Sequence, residues 1–203
     1  MMNPMMMGGM DQSHYPMFSV PLFNFRYPGD LEAIKNGVRS MVAENGVSPV
    51  NLSNEGGYHS EMDLYDRDFI YPLAQWIAEQ SGYAYATLGI EKKDTTFEGM
   101  WFNVNSSMNS YNHIHQHDGI LSGIFYLNTP EGSGETYFYN MGMNQNWEGY
   151  GVGSASEFTA FEHSIQAGPQ TEGMLYLFPS YIYHSVGTNK KDVERMSISF
   201  NMR

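Results

Sequence analysis

The 203-residue chain has no cysteine, which excludes both a disulfide framework and a thiolate metal site. It has no basic cluster: Lys and Arg number 10 against 22 Asp and Glu, for a net charge of −12. Nucleic-acid binding through phosphate contacts requires the opposite sign. No apolar run is long enough to cross a bilayer. The opening segment MMNPMMMGGMDQSHYPM lacks a basic stretch followed by a continuous apolar one, so it is not read as a signal peptide. These absences predict a soluble, cytoplasmic protein with no nucleic-acid and no membrane partner. Charge is scarce too, at 16% of residues, while aromatics reach 15% with 15 Tyr and 12 Phe. That balance favours β-strands and tight turns over helices.

The length fits one domain with a substantial core. Residues 1–15 are expected to form a flexible Met-rich arm, a segment suited to docking on a second copy in a homo-oligomer. Residues 16–203 are expected to form the single domain. Two helices precede the strands. The first spans about 30–45, with Asp30 as N-cap, Leu31, Ile34, Val38 and Met41 on one face, and Asn45-Gly46 as its stop. The second spans about 68–81, with Pro72 in its first turn and Ser81-Gly82 as its end. Residues 46–62 between them read as a polar loop. Strand patterns follow at 83–90, 97–104, 112–116, 122–128, 135–139, 158–165, 173–178 and 195–202. Eight short strands separated by Gly, Asn and Pro turns predict a mainly β jelly roll or barrel-like sandwich. The long Gly- and Asn-rich stretch 141–156 reads as a functional or mobile loop.

The chemistry is concentrated in histidines. His113, His115 and His117 alternate, and on a strand alternate residues share a face. A lone strand histidine is usually a satisfied structural residue. Three on one face would repel on protonation, and a divalent metal removes that problem by holding them neutral. With thiolates excluded, iron, manganese or catalytic zinc remain. His184 follows an apolar strand ending at Phe178-Pro179. Arg195 and Ser197 are two apart, and their strand alternates them with Met196, Ile198 and Phe200. The guanidinium and hydroxyl therefore share a polar face and make a carboxylate receptor that opens to a lumen or groove.

Here the sequence resembles a known family. The segment NHIHQHDGILSGIFYL (112–127) is similar to the N-x-x-H-x-H-P…S-G-x-x-Y signature of the 2-oxoglutarate- and iron(II)-dependent oxygenases. The segment GMLYLFPSYIYHSV (173–186) resembles that family's G-x-L-x-x-F-P-S…H-x-V, and RMSISFN (195–201) its R-x-S-I-S-F-N. Trp101 and Asn103 match residues that open the shared sheet. The resemblance covers about residues 97–203 and implies a double-stranded β-helix, the jelly roll that holds Fe(II) between two sheets. It implies His115 as first metal ligand, His117 in the place of the usual carboxylate, and His184 as the distal ligand. It assigns Arg195 and Ser197 to the far carboxylate of 2-oxoglutarate, with Asn103 beside the same cosubstrate. His113 becomes a rim residue.

The implied reaction uses O2 to hydroxylate a small-molecule or peptidyl substrate with release of succinate and CO2. Tyr111, Tyr126 and Tyr176 are candidate pocket walls. The departure from the superfamily pattern is His117, and Asp118, where the family often has Pro, competes with it and with water for the third ligand position. Two rivals stand beside the oxygenase. A cupin-like metalloenzyme shares H-x-H but normally adds a Glu that positions 118–130 do not supply. A non-catalytic β-sandwich assembly protein would carry no stoichiometric metal.

Overall fold

The fold is a computed structural model that describes residues 19–91, 94–140 and 162–203. The N-terminal arm, the 141–156 loop and the start of the strand expected at 158–165 lie outside the described residues. The described chain runs β1 (Phe23–Arg26), α1 (Leu31–Asn45), β2 (Asn54–Glu55), β3 (Tyr58–His59), α2 (Tyr71–Thr87), β4 (Phe97–Asn105), β5 (Tyr111–His115) and β6 (Leu121–Asn128). It continues through β7 (Thr136–Tyr139), β8 (Glu162–Ile165), β9 (Met174–Pro179), β10 (Tyr183–Val186) and β11 (Arg195–Met202). The strands form two antiparallel sheets, ordered β1-β9-β6-β11-β4-β3 and β2-β5-β10-β7-β8. This is the expected jelly roll. No helix among the described residues is long and apolar enough to cross a membrane.

Period-two alternation sorts the larger sheet into two unlike faces. On β11, Met196, Ile198, Phe200 and Met202 join one apolar core with Phe102 of β4, Phe125 of β6 and Leu175 of β9. The two helices cover that face through Ile34 and Val38 of α1 and Leu73, Ile77 and Tyr85 of α2. The alternate residues of β11, Arg195, Ser197 and Ser199, look inward to the space between the sheets, where they line a cavity.

Helix α1 has the expected bounds. The Asp30 side chain accepts the Glu32 amide at 2.9 Å, and Gly46 ends the helix at φ 71° with its amide bonded to the Val42 carbonyl. Helix α2 corrects the expected 68–81: it starts at Tyr71 and continues to Thr87, so the strand expected at 83–90 is mostly helix. Gly82 costs a helix interior about 1 kcal/mol relative to Ala. Burying Ala84 and Tyr85 on the same stripe as Ile77 and Ser81 outweighs that.

The polar loop expected at 46–62 holds two short strands. β2 pairs with β5 in the smaller sheet and β3 with β4 in the larger one, so the β2–β3 segment bridges the two sheets at an edge of each. Gly56 turns it with φ +65°, and at Gly57 an added Cβ would press on the Asn105 side chain.

Candidate active site

β5 and β10 are neighbours, and their register sets His115 opposite His184. His117 lies two residues beyond the end of β5, where strand alternation no longer fixes direction. Its amide donates to the Ser180 carbonyl at 3.1 Å, which ties it to the segment leading into β10. The three rings converge with centroids 4.4 Å (His115–His184), 4.9 Å (His115–His117) and 5.1 Å (His117–His184) apart. One nitrogen from each lies within 4.8 Å of the others, a cluster able to hold a metal ion.

Two of the imidazoles are fixed in tautomer. His115 Nδ1 donates to the His113 carbonyl at 2.7 Å and His184 Nδ1 to the Ile182 carbonyl at 2.9 Å. Each Nε2 is left with its lone pair free to ligate. Burial, followed by the neighbouring imidazoles, pushes His117 down to about 4 and His184 to about 3. Burial also lowers His115, against the raising effect of its bond to the His113 carbonyl. At neutral pH the cluster is therefore uncharged, the form that binds a cation.

His113 separates from the trio: it is exposed, its ring lies edge-on to Tyr111 at 4.9 Å, and its carbonyl orients His115. Asp118 is exposed and stands outside the cluster. The cluster contains no glutamate among the described residues, as the cupin alternative would require.

The histidines open on a cavity of about 440 Å³ that also reaches Asn103, Arg195 and Ser197. Arg195 is 1% exposed. Its guanidinium donates to Ser197 Oγ at 3.2 Å and to Thr136 Oγ1 at 3.4 Å, and it lies 5.5 Å from the centre of the Tyr126 ring. The Tyr126 hydroxyl donates to the same Thr136 oxygen at 2.6 Å. Arg195 Nε has no hydrogen-bond partner, and no carboxylate among the described residues pairs with this side chain. Burial pushes the guanidinium pKa down, with Tyr126 opposing the shift. A fully buried arginine without a counter-ion is costly unless an anionic ligand completes it.

None of the three tyrosines expected as walls is among the residues that line the cavity; Tyr126 instead packs against the Arg195 cluster. Tyr176 packs on Tyr126 at 5.8 Å and Tyr111 on His113. Sequence reasoning missed Thr136 and His59. Thr136 comes from β7, 59 residues from Arg195. His59, on β3, stacks on Trp101 with centroids 5.5 Å apart and planes 11° apart, and Trp101 in turn meets the edge of His117 at 5.5 Å. A single histidine in a polar stretch carries no periodic signal that would reveal either partner.

Comparison with known proteins agrees with this geometry. No curated protein sequence matches the chain. Solved structures share its fold at low identity. A prolyl-4-hydroxylase from Pseudomonas putida is 15% identical, with 90% of this chain and 91% of that one covered and a TM-score of 0.61. A prolyl hydroxylase from Trichoplax adhaerens, crystallised with a hypoxia inducible factor peptide, is 14% identical over 89% and 82%, with a TM-score of 0.63. SnoN, a non-heme alpha ketoglutarate dependent epimerase from nogalamycin biosynthesis, is 12% identical over 90% and 77%, with a TM-score of 0.66. The family model of the 2OG-Fe(II) oxygenases matches residues 99–201, about half of the chain and the part that carries all three histidines and Arg195. The chain belongs to the 2OG-Fe(II) oxygenase family, whose cofactors are iron(II) and 2-oxoglutarate.

Proposed function

We propose that the protein is a hydroxylating dioxygenase in which His115, His117 and His184 hold Fe(II) and Arg195 and Ser197 hold the far carboxylate of 2-oxoglutarate. The observation that carries the reading is Arg195: a buried guanidinium with no acidic partner among the described residues, in the cavity onto which three neutral imidazoles open. Both halves of the cofactor pair find matching donors. The histidines offer soft, uncharged nitrogen to a divalent metal, and the planar fork of Arg195 offers a carboxylate its bidentate match.

Bound together with O2, the pair supplies the oxidising chemistry: 2-oxoglutarate is cleaved to succinate and CO2, and one oxygen atom enters a substrate C–H bond. The protein's own contribution is placement and exclusion of water. The His113 and Ile182 carbonyls keep the His115 and His184 rings turned toward the site. Thr136, held by Tyr126, steadies the Arg195 fork. Three imidazoles leave the full charge of a divalent cation uncancelled, whereas a carboxylate ligand would remove one unit. That charge and Arg195 together attract a dianionic cosubstrate. Hydroxylation, rather than the epimerisation named for SnoN, is supported by the two prolyl hydroxylases among the similar folds.

The test is an anaerobic titration of the purified protein with Fe(II) and then 2-oxoglutarate. A weak visible charge-transfer band should form, and admission of O2 should yield succinate. His184→Ala should show neither. Succinate without 18O label from 18O2 in any candidate product would reject hydroxylation while leaving the cofactor assignment in place.

A further inference from the structure

Resting on the oxygenase reading, we infer that His59 and Asn103 form the substrate-recognition pair, two hydrogen-bond acceptors that receive an uncharged N–H- or O–H-bearing group, with an amide as the favoured ligand. The two residues are direct cross-strand partners on β3 and β4, so their side chains share a face of the sheet. They are 3% and 6% exposed, and both line the cavity that contains the histidine cluster.

His59 Nδ1 donates to the Ser60 carbonyl at 2.6 Å. A carbonyl can only accept, so the proton is on Nδ1 and Nε2 carries a lone pair. Stacking on Trp101 holds the ring in that plane. On Asn103 the amide nitrogen is directed to Ser199 Oγ at 3.5 Å, and Oδ1 is buried with no partner. A buried acceptor without a donor is unfavourable by about 1–3 kcal/mol, and a ligand that supplies the donor recovers it. The fully ionised cosubstrate has acceptors at both ends and no donor. It offers no donor to either atom, and with the Asn103 amide nitrogen on Ser199 the two acceptors fit the other ligand of the site. The sequence reading had set Asn103 beside the cosubstrate.

The charge of the lining limits that ligand further. Arg195 is the one Lys, Arg, Asp or Glu among the described residues that line the cavity, and the cosubstrate carboxylate occupies it. Among the described lining residues no second Lys or Arg is placed to pair with a carboxylate or phosphate on the substrate, which favours a neutral group. Leu52 and Ile114 at the lining are 68% and 55% exposed, an apolar rim suited to the aliphatic surroundings of an amide.

The experiment uses 15N-histidine-labelled full-length protein loaded with Zn(II) and 2-oxoglutarate, titrated with N-acetyl-leucinamide, with the acid N-acetyl-leucine, and with methyl glucoside as the hydroxyl arm. The His59 Nε2 resonance, identified by its loss in His59→Phe, should lie in the unprotonated range and move with the amide. The acid should bind at least about tenfold more weakly. His59→Phe keeps a flat ring on Trp101 and should weaken amide binding by about tenfold, the size of one hydrogen bond. His59→Gln should recover part of it. Zn(II) and 2-oxoglutarate affinities should stay within about twofold of wild type in both variants.

A larger response to the glucoside than to the amide overturns the amide preference. Equal binding of acid and amide, no movement of the His59 resonance with any probe, or loss of metal or cosubstrate affinity in His59→Phe overturns the assignment altogether. The first two readings need no variant to fold. Failure of wild-type protein to bind 2-oxoglutarate on Zn(II) would instead remove the oxygenase reading, and this inference with it.

Discussion

β11 separates two environments by a single residue step. Its outward residues, Met196, Ile198, Phe200 and Met202, are fully buried against helices and neighbouring strands. Among the described residues its inward side includes a buried cation without a carboxylate, and the facing β4 residues Asn103 and Asn105 each carry an unpartnered oxygen. One face is complete in itself, and the other leaves buried polar groups without partners among the described residues. Stability and chemistry therefore reside on opposite sides of the same strand, and substitutions on each side should fail in different ways.

The largest effect is expected on the closed face. Phe200→Ala should lower unfolding free energy by about 3–5 kcal/mol through the cavity it leaves over Gly123 and Phe97. Denaturant unfolding would measure it, and a loss below about 1 kcal/mol would break the distinction between the faces. On the open face, His117→Ala should weaken metal binding by more than the roughly ten- to hundredfold typical of an outer-shell loss. Its effect on apo stability should be small. Asp118→Ala should leave metal affinity unchanged, and the reverse outcome by calorimetric titration would transfer the third ligand to Asp118.

Arg195→Met sharpens the contrast most. Loss of a buried charge-assisted contact should weaken 2-oxoglutarate by about 2–3 kcal/mol, roughly 30- to 150-fold, with metal binding retained. The apo protein should melt at the same or a higher temperature, because an uncompensated buried charge has been removed. A strongly destabilised apo protein would mean that Arg195 is structural. The smallest effect is Asp30→Ala, about 1 kcal/mol of stability from the lost cap on α1, with no change in either affinity.

What the sequence made legible follows the range of the interactions involved. Local patterns carried far: Asp30 and Gly46 bound α1, and alternation on β11 separated its two faces. H-x-H, His184 and Arg195 each sit in a recognisable segment. The end of α2 was misplaced because the burial of Tyr85 is decided by the sheet beneath it, and no local property of Gly82 reports that. His59 and Thr136 were missed for a related reason. His59 reaches the cavity through strand pairing with Asn103, and Thr136 meets Arg195 by side-chain contact behind the cavity wall, each across tens of residues. The trio His113, His115 and His117 was half legible. Alternation grouped them, but the strand stops at His115, and a bond from outside it, His117 to Ser180, decides which two join His184 in the cluster.

The β2–β3 segment has a consequence of a different kind. It contributes two residues to each sheet, and Tyr58 of β3 packs into the helix-backed core, stacked on Phe102. It also supplies His59 and is adjoined by Leu52 and Met62 in the cavity wall. Its anchors are few and specific: Tyr58 in the core, Ser60 Oγ accepting the Phe102 amide, and Gly57 against Asn105. Its other positions, among them exposed Leu52 on the cavity wall, are where sequence change would alter the lining while sparing those anchors.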